Sequence, residues 1–167
     1  WNQIGLNGNV FASVTDPVAL DGLRGTKVVS FDVRLDTFAP STELKIVWVE
    51  VALVGANNGV QVELEHCGDA TNLRRDMTVV EIKAPPRREL SPARVTEIKE
   101  ETVDVRSQQQ FWGRSPATRW RIRIPEESAA AAGLDLSGLS QIQLAIRYGY
   151  YAGAFARAVT DADVVAS

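Results

Sequence analysis

The chain has 167 residues, 45% of them apolar and 23% charged, which describes one globular domain large enough to fold without a metal or disulfide staple. Lys and Arg number 18 against 21 Asp and Glu, a net charge of −3; a domain built on phosphate contacts would be basic, so nucleic-acid binding is disfavoured. No apolar run approaches the ~20 residues of a membrane-spanning helix, and no basic-then-apolar leader opens the chain.

In chain order, the dominant spacing is two. A first strand is expected at residues 9–14. Residues 27–35 (KVVSFDVRL) place Val29, Phe31, Val33 and Leu35 on one face and Ser30, Asp32 and Arg34 on the other. Residues 44–54 (LKIVWVEVALV) are apolar at both parities, the pattern of a strand covered on both faces. Gly55-Ala56-Asn57-Asn58-Gly59 supplies the positive-φ residues of a hairpin loop. The partner strand follows at residues 60–66 (VQVELEH), with Val60, Val62 and Leu64 inward and Gln61, Glu63 and Glu65 outward. Further strands are expected at residues 77–83 and 103–106. Residues 84–106 contain Pro85, Pro86, Pro92 and ten charged side chains, and read as a solvated loop or a long exposed hairpin.

Residues 118–124 (TRWRIRI) oppose Trp120, Ile122 and Ile124 to Arg119, Arg121 and Arg123. A short helix then starts at Pro125, carries Glu126 and Glu127 at its positive end, and stops at Gly133. Residues 142–150 (IQLAIRYGY) return as a strand with Ile142, Leu144, Ile146, Tyr148 and Tyr150 together, and residues 156–167 read as a flexible tail or linker. The expected fold is all-β: an antiparallel β-sandwich of jelly-roll type with one short connecting helix, forming a single domain over residues 1–155.

Little in the chain points to catalysis. The one cysteine, Cys67, excludes an internal disulfide and a Cys-based zinc cluster, and the one histidine, His66, is the sole imidazole. His66 is in phase with the inward residues of its strand. Cys67 then faces the other way, so alternation separates the two unless a bulge intervenes. Glu63 and Glu65 share a face ~7 Å apart, but no apolar neighbour on that face would keep one protonated, as glycoside hydrolysis requires. No glycine-rich phosphate cradle or calcium loop is present. The expectation is no catalytic residue, no metal site and no cofactor.

Two binding features remain. Arg119, Arg121 and Arg123 form a basic stripe, extended by Arg147 if its strand lies nearby. Such a stripe can grip sulfate, phosphate or carboxylate groups, or it can meet Glu63 and Glu65 across the sheet. Tyr148 and Tyr150 are in phase with the core and are expected to plug one end of it, whereas Phe111, Trp112 and Tyr151 are freer. Trp112 and Tyr151 are therefore candidate platforms for a sugar ring or a partner.

The segment WGRSPATRWRIRIPEESAAAAGLDLSGLSQIQLAIRYGYYA resembles the closing part of a β-sandwich near the C-terminal end of Tc-toxin A components and related large bacterial proteins. Trp120, Pro125, Leu134, Asp135, Leu136, Ser137, Leu139, Ser140, Ile142, Leu144, Ile146, Arg147 and Tyr148 carry the likeness. GVQVELEHCGDATNLRRD is similar to a hairpin that ends in a histidine–glycine corner in the same proteins. The likeness spans residues 28–151 and departs at residues 84–106. These are residues of strand, cap and turn rather than a catalytic set. The resemblance implies a domain that helps assemble a shell or a partner-docking surface. Together with the start at Trp1 rather than Met, it leads to the expectation of a non-catalytic binding or docking module of a larger bacterial, exported or toxin-like protein. Its partners would be other domains or subunits of the assembly. The alternative is a carbohydrate-binding module that recognises a surface glycan beside a glycoside-acting enzyme. Neither reading involves nucleic acid or a membrane span.

Overall fold

The computed structural model describes residues 6–99 and 111–151. In chain order these form β1 (Leu6–Val14), α1 (Pro17–Thr26), β2 (Val28–Asp32), β3 (Thr42–Val54), β4 (Val60–Leu73), β5 (Val79–Ile82), β6 (Arg87–Arg94), β7 (Ala117–Arg123), α2 (Glu126–Ala132) and β8 (Gln141–Tyr151). The fold is β-rich, as period two implies. Its strands form one curled, mixed sheet in the order β1-β8-β3-β6-β4-β7-β2, with β5 paired to β4. Curling brings residues from distant strands into one apolar cluster that includes Val29, Leu64, Ile122 and Ile146, and Leu23 of α1 completes it.

Burial follows the sequence phases closely. Val60, Val62 and Leu64 are buried on β4, as are Trp120 and Ile122 on β7. β3 is covered on both sides: Leu44, Ile46, Val49, Val51 and Leu53 join the main cluster, while Trp48 and Ala52 pack with Ile98 and Ala145 on the outer face. The switch of side is made by register shifts in its pairing with β8, one of them between Ile46 and Trp48. Ile98 is held over that outer face by Gln143, whose buried amide accepts from Ile98 N–H at 2.7 Å and donates to Ile98 O at 3.1 Å.

Four expectations are corrected. The hairpin across residues 55–59 does not form, because β6 lies between β3 and β4. Gly55 N–H donates to Val95 O instead, and the two asparagines serve α2: Asn57 Nδ2 donates to Gly133 O at 2.9 Å and Asn58 Nδ2 to Ala132 O at 2.8 Å. They satisfy carbonyls that a helix end leaves without partners. Residues 87–94 are an interior strand rather than loop. Their charges are matched across the sheet, Arg88 with Glu65 and Arg94 with Glu50. The sheet is also not wholly antiparallel, since β3 and β6 run parallel over Val51–Ala93 and Ala52–Arg94.

Finally, α1 is a second helix. Asp16 accepts from Val18 N–H, Pro17 opens the first turn, and Lys27 closes the helix at φ 63° by donating its N–H to Leu23 O. The connecting helix α2 is present as expected and ends at Gly133 in the left-handed region. The strand expected at residues 103–106 and the tail at 156–167 lie outside the described residues.

Candidate functional site

Between the described part of the 84–106 segment and β7, residues 111–115 make a tight turn with Phe111 at φ +62° and Gly113 at φ +80°. The turn is pinned to β3 in both directions: Gly113 N–H donates to Ile46 O at 3.0 Å, and Ile46 N–H donates to Arg114 O at 2.8 Å. Arg114 Nη1 donates to Pro85 O at 2.7 Å, and Ser115 Oγ donates to Thr71 O at 2.5 Å. Phe111, expected to be free, is buried, because its left-handed backbone turns the ring inward against Trp120 (5.3 Å, edge-on) and His66 (6.3 Å, stacked). Trp112 consequently points out and is 60% exposed.

His66 is the keystone under this turn. It is buried, as its phase implies, with Nε2 at 2.8 Å from Ser115 O and Nδ1 accepting from Gly68 N–H at 3.0 Å. A carbonyl only accepts, so Nε2 carries the hydrogen and Nδ1 is bare. Burial pushes the imidazole below its ordinary pKa, and the Arg114 guanidinium, whose Nη1 is 3.5 Å from Nδ1, adds to that. Cys67 lies on the other side of β4, its Sγ 3.0 Å from Thr118 Oγ1. A bulge does follow His66, yet it does not bring the thiol to the imidazole.

The arginine stripe meets the acidic row only in part. Arg123 grips Glu63 at 3.1 and 3.4 Å. That hydrogen bond, with the added field of Arg88 and Arg121, holds the Glu63 carboxyl below the usual range despite its desolvation. Glu65 stands between Arg88 and Arg121 in register, and it is Arg88 that it pairs with. Arg121 faces Ser30 on its other side. Arg119 is opposite Asp32. It borders an outer-face groove of about 290 Å3 shared with Asp32, Asp69, Thr71, Glu81 and Lys83. Within this groove Lys83 pairs with Asp69 at 3.4 Å. Arg147 does not extend the stripe, because β8 pairs with β1 and β3, and Arg147 faces Asn9 and Trp48.

Tyr151 ends β8 half-buried, with the Arg75 guanidinium 4.3 Å above its ring. Tyr148 packs edge-on against Phe38 at 4.9 Å and close to Tyr150 at 5.5 Å, in line with the expected plug. Sequence reasoning missed Arg75, Arg114, Ser115 and Gly68. Each acts on a partner distant along the chain or beside a bulge, so no local pattern marks it.

Among the described residues, no group of three or more His, Cys, Asp or Glu side chains is arranged to hold a metal ion. What the geometry does present is one exposed indole, that of Trp112, and a sheet face carrying guanidinium groups, of which Arg123 pairs with Glu63 and Arg88 with Glu65. Compared with protein-family models and with curated proteins, the chain finds no match.

Proposed function

We propose that this chain is a non-catalytic docking module of a larger bacterial, exported or toxin-like protein, as its likeness to Tc-toxin A components would have it, and that Trp112 is its anchor. We read the sheet curled around one cluster as a sandwich of jelly-roll kind. The observation that carries the reading is the pinned turn. An exposed tryptophan on a backbone fixed from both sides loses little freedom on binding, and such residues dominate the affinity of protein interfaces. The partner is a segment or subunit of the same assembly that offers an apolar pocket to the indole.

The sugar-binding alternative is less well supported, because one face of the Tyr151 ring is taken by Arg75. A catalytic role is less well supported too. Both nitrogens of His66 are engaged, and Glu63 and Glu65 are each ion-paired.

The test titrates the chain and its Trp112→Ala variant against the flanking segments of the parent polypeptide, with a glycan array in parallel. The variant should lose affinity by roughly 30-fold or more, the loss of a hot-spot side chain, at an unchanged melting temperature, and the array should be blank. Binding of a defined oligosaccharide that Trp112→Ala removes would replace docking by sugar recognition. Turnover of a glycoside, ester or peptide that His66→Ala abolishes would overturn the non-catalytic reading.

A further inference from the structure

We propose that residues 111–115 form an acid-released latch, in which protonation of His66 frees the turn that displays Trp112. The proposal rests on Trp112 being the docking anchor for its biological meaning, but not for its physics. Its basis is the hydrogen-bond pattern around one ring. Nε2–H is committed to Ser115 O, so an added proton must sit on Nδ1. There it meets the Gly68 N–H at 3.0 Å and the Arg114 guanidinium at 3.5 Å, two donors and no acceptor.

The surroundings offer no relief. β7 contributes the Trp120 ring, edge-on at 5.2 Å, and the turn contributes Phe111 and Arg114. On β6 the residue opposite His66 is Arg87, a second cation, whose guanidinium is taken by Glu89 at 2.8 Å. β4 itself supplies Cys67 and Gly68, with the Cys67 thiol engaged elsewhere. The 83–86 connection contributes the Pro85 carbonyl, already occupied by Arg114. Among the described residues, no carboxylate is bonded to the imidazole to share the charge.

What yields is the turn. Gly68 is wedged under the Ala84 and Pro85 backbone, whereas Arg114 and Ser115 both belong to residues 111–115. Phe111 adds a bias toward opening. A bulky residue at φ +62° is unfavourable and persists only while packing over-determines it. Its packing is the stack on His66 and the edge contact with Trp120. Removing the imidazole contact lets Phe111 return to an ordinary backbone conformation, which swings Trp112 away from its displayed position.

Linkage gives the size of the effect. In the open turn the imidazole is hydrated and titrates near ~6.5. While the closed form keeps it neutral, acid multiplies the opening equilibrium by about 30 at pH 5 and leaves it essentially unchanged at pH 7.5. The sign follows from the lowered pKa of the closed state: the latch holds above ~6.5 and weakens as pH falls below it.

The experiment is an NMR titration of the full chain from pH 7.5 to 5. His66 is the only histidine, so its ring signals need no assignment by mutation. The Gly113 and Ile46 amides, which hold the turn on β3, should exchange about 30-fold faster at pH 5 than at pH 7.5 after correction for intrinsic rates, the rise setting in below ~6.5. The core amides of Leu64 and Ile146 should keep their protection. In His66→Gln, whose amide can donate to Ser115 O and accept from Gly68 without titrating, the acceleration should vanish. A ring that titrates while the turn amides stay protected overturns the latch, and this needs no variant. Equal acceleration in a folded His66→Gln overturns it as well. Opening on cue in a chain whose partner binding ignores Trp112→Ala would retire the docking reading and keep the latch. Acid-insensitive amides in a chain that needs Trp112 for binding would do the reverse.

Discussion

Gly68 and Gly113 allow steric crowding to be separated from backbone strain. Both sit at positive φ, +98° and +80°. A Cβ at Gly113 would meet nothing within 4 Å, whereas at Gly68 it would stand 2.2 Å from Ala84 O and 2.7 Å from the Pro85 carbonyl carbon. An L-residue in left-handed backbone costs about 1–2 kcal/mol, and the stiffer unfolded chain of an alanine variant returns about 0.4–1 kcal/mol. Gly113→Ala should therefore destabilise by about 0–1.6 kcal/mol. Gly68→Ala carries the same strain and in addition pushes the β5–β6 connection off β4. That connection holds Pro85 O, the acceptor of Arg114, while the Gly68 N–H is the donor to His66. Losing a charge-assisted bond of about 1.5–3 kcal/mol and a neutral one of about 0.5–1.5 brings the total to roughly 2–6 kcal/mol. For a domain of ordinary stability that is a large share of the whole. Urea unfolding of the two variants and the parent, at constant m-value, measures the difference. If Gly68→Ala costs within about 0.5 kcal/mol of Gly113→Ala, the close crossing over Gly68 does not constrain the fold and the reasoning fails.

Three further outcomes are expected. Asn72 clamps the start of β3, its Oδ1 accepting from Leu44 N–H and its Nδ2 donating to Leu44 O, both at 2.9 Å. Asn72→Ala should cost about 1–3 kcal/mol in urea unfolding, and a cost near zero would mean that solvent replaces the clamp. Gln143→Leu leaves both backbone groups of Ile98 without their side-chain partner, so amide exchange at Ile98 should accelerate; unchanged protection there would show that another group holds the segment over Trp48. Glu63 titrates lower when folded than its reference of 4.5, chiefly through Arg123. Its contribution is therefore complete above that value and is lost as pH falls below it. Glu63→Gln should flatten the stability profile below about pH 4.5, and a profile that keeps the parent's slope would remove Glu63 from the acid response.

The sequence shows what is local and conceals what is paired at a distance. Alternation at residues 60–66 and 118–124 needs only neighbouring side chains, and the buried faces match it. The helix at Pro125 is equally legible, because its cap, its acidic first turn and its terminal glycine are contiguous. β6 was illegible for the opposite reason. Arg88 and Arg94 read as solvated charges until Glu65 and Glu50 come beside them, and Pro92 reads as a breaker until it is seen opposite Gln61 within a ladder. The Asn57-Asn58 pair misleads in the same way, since its side chains answer to α2 rather than to a hairpin. α1 buries only Leu20 and Leu23 and contains Gly22 and Gly25, too weak a period to stand out beside its Asp16-Pro17 start.

The candidate site divides along the same line. An aromatic pair in a loop is visible as Phe111-Trp112, but which ring faces out depends on φ at Phe111 and on a histidine whose partner Ser115 lies 49 residues further along the chain. Trp112 differs from an ordinary loop tryptophan only through those distant bonds. The residues that make it an anchor, His66, Gly68 and Arg114, are therefore the ones whose alteration should change recognition without touching the partner.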